Sequence, residues 1–344
     1  MGEAKRRETA MKHLMVGAAA AAILTGAVAA SAQEHSIRVG SFTPEGAVGV
    51  QNVMIPWMQA VQDELGDRVE LTGFWGGTLG PDPFAQYELV RDGVIDVAWI
   101  LPGYTPGQFP QLQITELPFT VQSGEEASTV AWRLYETGLL DGFDDVHVLS
   151  IWTPDITNIH LTEPVENLGD LEGSALRTAG ATQALFVEAI DAAPQTLGSV
   201  EANEAMLRGT IDGQLQGWTG MRTFGGFAVA DATYMVPLGA SPFLLLMNLN
   251  TWNSLPEDVQ EVMMRHAGEG LGAYGGSRYD AITQDIIATQ RDEGHTIIEA
   301  SQDDIAAYAD QYSDVHDRWI EQHDNGQEIY DTFIQLLNDY RSGG

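Results

Sequence analysis

Cysteine is absent from the 344 residues, so neither a disulfide framework nor a lipidated cysteine anchor is available. Lysine is confined to Lys5 and Lys12. The glycines of "WGGTLGPD" make no phosphate loop, which needs G-x-x-x-x-G-K-[ST]. Serine-hydrolase chemistry lacks its G-x-S-x-G elbow, and zinc hydrolysis lacks a His-Glu-x-x-His pair. His316 and His323 lie seven apart with Asp317 and Glu321 between them, a spacing that reads as solvated polar residues on an acidic helix. No reaction, cofactor or metal site emerges from these residues.

Long apolar runs are missing too, except near the start. Lys5, Arg6, Arg7 and Lys12 form a basic stretch, Leu14 to Ala30 a short Ala/Gly-rich apolar run, and Ala30-Ser31-Ala32 a small-x-small cleavage site. Residues 1–32 therefore read as a signal peptide cleaved after Ala32, because the run is too short and too weakly apolar for a membrane anchor. The first ten residues are compatible with an over-called start, since Met11 also begins a normal signal. With no other spanning segment, an exported, periplasmic protein is expected. Of the 16 Lys and Arg and 49 Asp and Glu in the chain, the leader holds four and two, so the remainder has 12 Arg, no Lys and a formal charge of −35. Nucleic acid and anionic membranes call for clustered Lys and Arg, so such partners are excluded. With 44% apolar residues and aromatics throughout, the acidity is not that of a disordered chain. It reads as a salt-adapted exterior, since at about 1 M salt charges are screened within ~3 Å.

The remaining 312 residues exceed the usual size of one core, so two lobes are expected. A strand from Ser36 to Phe42, a helix from Val50 to Leu65, a strand from Val69 to Phe74, a helix from Phe84 to Arg91 and the strand-like "DGVIDVAWIL" alternate as βαβ units do. The plan recurs with strands at Ser174–Thr178 and Gln195–Leu197 and helices at Thr182–Ala192 and Val200–Leu207. "LVRDGVIDVAW" (89–99) and "MLRGTIDGQLQ" (206–216) share an apolar pair, Arg, Gly and Ile-Asp, an internal echo of two similar halves. Residues 151–165 and 243–250 read as extended links between them. Ser254 and Glu257 suggest a capping box for a helix running to about Arg291, which five glycines should bend or break. Residues 301–340 read as two amphipathic helices.

Arg177, in "GSALRTAGAT", ends a strand before a helix. Ligands of open α/β sheets bind beyond such strand ends, a helix N-terminus favours an anion, and the guanidinium fork matches a carboxylate. A structural arginine paired with one of the many acids is the alternative, and context alone leaves the two even.

The segments "GTLGPDPFAQYELVRDGVIDVAW", "FPQLQITELPF", "PVENLGDLEGSALRTAG", "MLRGTIDGQLQ" and "NLNTWNSLPEDVQEVM" occur in the order found in solute-binding proteins of tripartite ATP-independent periplasmic (TRAP) transporters, the C4-dicarboxylate-binding-protein family. The chain resembles that family over about residues 36–340. The resemblance implies an α/β two-lobed clamshell, each lobe a mixed, mainly parallel sheet flanked by helices, with hinge strands and a long bent helix spanning both. The expected division is residues 33–155 with about 245–300 in one lobe, and 156–244 with about 301–344 in the other. The resemblance puts the family's ligand-selecting arginine on Arg177 and its frequent ligand-contacting asparagine on Gln216. A second arginine of many members is replaced by Thr157 or Asn158, which favours one ligand carboxylate over two. The cleft should also include Phe42, Thr43, Asp82, Trp99 and Tyr104, with Leu101 and Pro102 at positions polar in sugar-acid binders, and Trp218 as an aromatic wall. The expected protein is a monomeric, non-enzymatic receptor that captures an organic acid, best a monocarboxylate with an apolar or aromatic body, and delivers it to small and large membrane subunits. A C4-dicarboxylate or sugar-acid binder, or a binding protein of another importer or sensor, is the alternative.

Overall fold

The structure, a computed structural model, describes residues 35–343; the expected leader and its cleavage site lie outside them. Strands β1 (His35–Gly40), β2 (Val69–Phe74), β3 (Val97–Ile100) and β4 (Val146–Trp152) alternate with helices α1 (Ile55–Leu65), α2 (Gln86–Arg91) and α3 (Gly124–Glu136). The scheme then repeats. β5 (Asn158–Leu161), β6 (Ala175–Thr178), β7 (Ala193–Thr196), β8 (Gly213–Gln216) and β9 (Ala232–Met235) carry α4 (Ala181–Ala189), α5 (Ser199–Leu207) and α6 (Trp218–Phe224) between them. β10 (Phe243–Asn248) leads to α7 (Leu249–Ser254), α8 (Glu257–Arg265) and α9 (Gly268–Asp292). β11 (Thr296–Glu299), α10 (Gln302–Gln311), α11 (Asp314–Glu321) and α12 (Gly326–Arg341) complete the described chain.

Two mixed sheets result, ordered β2-β1-β3-β10-β4 and β11-β9-β5-β8-β6-β7. Reading the second backwards gives β7-β6-β8-β5-β9-β11, whose first five strands follow the plan of the first. In each, one strand runs against its neighbours: β10 is antiparallel to β3 and β4, and β5 to β8 and β9. Both reversed strands follow immediately on a strand of the other sheet, so the chain crosses between lobes at β4–β5 and again at β9–β10.

The internal echo has a physical basis. Gly93 and Gly209 sit at φ +74° and +67°, the left-handed conformation that ends a helix and costs glycine no Cβ clash. Ile95 and Ile211 are then buried. The aspartates that follow each accept a hydrogen bond from a neighbouring strand's backbone: Asp96 Oδ2 from Arg38 N at 2.9 Å, Asp212 Oδ2 from Ala175 N at 2.7 Å. Those bonds tie β3 and β8 to their parallel partners at equivalent places.

The long C-terminal helix differs from the expectation. The break falls at Ala267 and Gly268, the latter at φ +62°, while the other glycines remain inside the 25-residue α9. Close packing explains their retention. A Cβ at Gly272 would overlap the Ile151 carbonyl, and one at Gly276 would overlap the backbone of Gly124. The later turns of α9 bring Ile286 and Ile287 onto Trp218 in the other lobe, so the helix spans both. The expected Ser254/Glu257 box does not form: Ser254 lies in α7 and donates to the Thr251 carbonyl at 2.7 Å. Extended Pro256 begins α8 instead, with no side-chain cap. The C-terminal segment contains three helices, interrupted at residues 312–313 and 322–325. Although it was expected with the second lobe, α12 ties to the first through an Arg341–Glu126 ion pair at 2.6 Å, and α11 reaches α4 through Arg318 and Glu188. His316 bridges Pro118 O and Tyr330 Oη at 3.0 Å each, as a packing residue.

Overpacking at these glycines should be measurable. Gly272→Ala and Gly276→Ala are each expected to lower stability by ~1–3 kcal/mol. Gly270→Ala, which meets nothing within 4 Å, should raise it by ~0.5–1 kcal/mol. Urea unfolding midpoints of the three variants give the check.

Candidate functional site

Arg177 occupies the third position of β6 and is only 2% exposed. Its Nε donates to Leu197 O at 2.8 Å and its Nη1 to Leu215 O at 3.1 Å. These backbone acceptors follow β7 and lie within β8, so the two strands flanking β6 hold the guanidinium plane. Two further bonds go to side chains: Nη1 to Gln216 Oε1 at 3.0 Å and Nη2 to Tyr104 Oη at 2.8 Å. Nine of the twelve arginines after the leader form ion pairs among the described residues. Arg177 is not one of them. A guanidinium out of water and without a counter-charge is costly, and carbonyl oxygens offset only part of that cost. The structural alternative, an arginine paired with an acid, is thus not what the fold builds. Nor is the fork idle, since four of its five N–H groups have acceptors.

Arg177 lines a cavity of about 80 Å³ between the two sheets. Seven of the ten expected residues line it: Phe42, Thr43, Trp99, Tyr104, Thr157, Arg177 and Gln216. Phe42 stands 6.0 Å from Trp99 and 6.1 Å from Tyr104, ring centre to ring centre, so one wall is a continuous aromatic surface. The other three lie elsewhere. Asp82 is exposed and caps a short turn by accepting from Phe84 N at 2.9 Å. Asn158 accepts from Val236 N at 3.1 Å and donates to Ile156 O at 2.8 Å. Neighbouring residues in an extended strand face opposite sides, and here Thr157 takes the cavity side. Trp218 is 1% exposed and packs on Ile286 and Ile287, because it opens α6 on the side that meets α9.

Sequence reasoning missed other lining residues, among them Ser199, Gln183, Ser241, Phe243 and Tyr279. Ser199 had a legible signal, since Gly198-Ser199 stands between a strand and a helix just as Gly180-Ala181 does. Phe243 and Tyr279 come from a hinge strand and from α9, and only the chain crossings bring them here. Trp99 meets Phe243 at 4.9 Å.

Two buried carboxyls stand behind the wall. Glu116 Oε1 accepts from Ser241 Oγ at 2.6 Å and from Gln183 Nε2 at 3.3 Å, and both donors line the cavity. Burial pushes its pKa up to about 7, with the Ser241 bond and Arg177's charge opposing. Asp155, held by the Thr219 hydroxyl and backbone N–H, is pushed up to about 6 by burial.

A cavity between two lobes with one buried cation on its wall is the arrangement of a small-molecule binding site. The family model described as bacterial extracellular solute-binding protein, family 7, matches residues 39–322, and the chain belongs to that family. A solute-binding protein of Sulfitobacter sp. (strain NAS-14.1) is 25% identical over 272 residues, covering 78% of this chain and 81% of its own. A marine-metagenome TRAP solute-binding protein described as specific for aromatic acid ligands, co-crystallised with 3-hydroxybenzoate, is 26% identical with a TM-score of 0.85, covering 90% of this chain and 99% of its own. A TRAP solute-binding protein of Rhodoferax ferrireducens, in complex with copurified benzoate, has a TM-score of 0.85 at 23% identity, over 89% of this chain and 98% of that one. The protein is of the TRAP solute-binding class. Among the described residues no helix is long and apolar enough to cross a membrane.

Glu116 should leave a pH signature. Its native pKa lies above the unfolded one, so the folded state binds the extra proton and stability falls as pH rises between about 4.5 and 7. Glu116→Gln removes that contribution. Subtracting the variant's pH–stability profile from the wild type's should give a difference that declines across this window and is flat below it. A flat difference throughout would show that Glu116 titrates normally.

Proposed function

We propose that the protein is a periplasmic receptor that captures a small organic acid bearing one carboxylate and an apolar or aromatic body. Closure of the lobes over the acid then presents it to the small and large membrane subunits of a TRAP transporter. One observation carries the substrate reading: Arg177 is the only charged side chain among the residues that line the cavity. A single buried cation neutralises a single carboxylate, while a second carboxylate would be desolvated with no counter-charge. Around it, Phe42, Trp99, Leu101, Tyr104 and Phe243 offer apolar surface. The 26%-identical relative described as specific for aromatic acids supports the same class. Cleavage after Ala32 and a monomeric receptor belong to this reading.

The ligand acts through its preference for the closed state, in which Arg177 of one lobe and the aromatic wall of Phe42 and Trp99 of the other both reach it. No covalent step is involved, and the receptor needs no nucleophile.

A thermal-shift panel tests the class. Benzoate, 3-hydroxybenzoate and mandelate should stabilise the protein, whereas succinate and fumarate should not. Arg177→Ala is expected to abolish the response, and Arg177→Lys to weaken affinity by about 10- to 100-fold, because a point charge cannot reproduce the guanidinium's bonds. A clear preference for the dicarboxylates, or an unchanged response in Arg177→Ala, overturns the reading.

A further inference from the structure

Arg177 shares its two side-chain acceptors with another donor. Ser199, the first residue of α5 and 9% exposed, has its backbone N–H 3.2 Å from Tyr104 Oη and its hydroxyl 3.0 Å from Gln216 Oε1. Arg177 donates one N–H to each of the same two oxygens, at 2.8 and 3.0 Å. Each oxygen therefore receives one bond from the guanidinium and one from Ser199. Two oxygens so held match the donor demand of a carboxylate, which accepts at both its oxygens.

Neither present acceptor is an anion. A phenol and an amide face a cation that is 98% buried, lacks an ion-pair partner among the described residues, and keeps one N–H without an acceptor. The Ser199 N–H adds the partial positive charge of the start of a nine-residue helix. Glu201, three positions into that helix region, is engaged with Gly198 N at 3.1 Å and does not compete. Space points the same way. The cavity of about 80 Å³ is smaller than the ~150 Å³ that accommodates benzene, so an aromatic acid needs room made by its lining side chains, Tyr104 among them, or by the lobes.

We infer that Ser199 is a carboxylate-binding residue of this receptor: the ligand's carboxylate takes the donors of Arg177 and Ser199 that Tyr104 Oη and Gln216 Oε1 accept in this structure. The inference rests on the reading of the cavity as a carboxylate site. It assigns the N-terminus of α5, together with the end of β6, to holding one carboxylate. Tyr104, coming from the opposite lobe, then competes with the ligand for the same bonds, and so favours small acids able to displace a neutral hydroxyl by virtue of their charge.

Two substitutions separate the donors. Ser199→Ala removes the hydroxyl alone. Ser199→Pro removes hydroxyl and N–H together at the first helical position, where proline is tolerated. Gly198 already holds φ −64° and ψ 155°, the region a residue before proline prefers. Calorimetric titration with benzoate and 3-hydroxybenzoate should show affinity about tenfold lower in Ser199→Ala and about 100-fold lower in Ser199→Pro. Unfolding midpoints without added acid should stay within a few degrees of wild type for both. Wild-type affinity in Ser199→Pro, with binding lost in Arg177→Ala, overturns the inference and leaves the receptor reading standing. If Ser199→Pro does not fold, Ser199→Ala decides, and unchanged affinity there is the overturning result. Failure of either acid to bind the wild type removes the monocarboxylate reading and this inference with it.

Discussion

A guanidinium that is buried without a carboxylate sets the terms for the rest of this molecule. Arg177 satisfies most of its donors with the carbonyls of Leu197 and Leu215, the amide of Gln216 and the phenol of Tyr104. Those partners come from two neighbouring strand ends and from the opposite lobe. Each must be delivered accurately, because a charge out of water tolerates few missing bonds. The sheet supplies the accuracy for the backbone acceptors. The side-chain acceptors depend on how the lobes meet, and that dependence links occupancy of the site to the relation between the lobes.

The lobes themselves are two versions of one plan. In both, a helix ends at a left-handed glycine, a buried isoleucine follows, and an aspartate fastens the next strand to its neighbour's backbone. β3 and β8 are those strands, and Trp99 and Gln216 stand near their carboxyl ends facing one cavity. The two crossings at β4–β5 and β9–β10 insert a reversed strand into each sheet. α9 then clamps the arrangement from behind, its glycines against Ile151 and Gly124 and its later turns on Trp218. Gly272 and Gly276, read from the sequence as points of weakness, are points of close approach.

Charge is distributed unequally between surface and cavity. Arginines at the surface pair with acids within reach, as Arg68 does with Asp258 and Arg291 with Glu299. Such exposed pairs contribute little to stability. The acids nearest the cavity are instead buried carboxyls, Glu116 and Asp155, whose burial favours the neutral form. A cavity with one full positive charge and no full negative charge among its lining residues suits a single carboxylate, whatever the exterior carries.

The alternation of strand and helix, the echo around the Ile-Asp pairs and the strand-end position of Arg177 were all legible in the sequence. They depend on local rules: periodicity, helix-ending glycines and the short reach of a βα turn. Part of the cavity wall was legible as well: the family resemblance pointed to Phe42, Thr43, Trp99 and Gln216, which follow or end strands and line the cavity. What lay beyond local rules was decided by contacts distant in the chain. Thr157 and Asn158 are adjacent, and only pairing of β5 with β8 and β9 chooses which one faces inward. Trp218 turns to α9 because Ile286 and Ile287 lie nearly seventy residues further on. Ser199 meets Tyr104 across ninety-five residues. Sequence determined that a cation stands at a strand end; tertiary structure decided which donors stand beside it, because hydrogen-bond partners are set by distance in space and not along the chain.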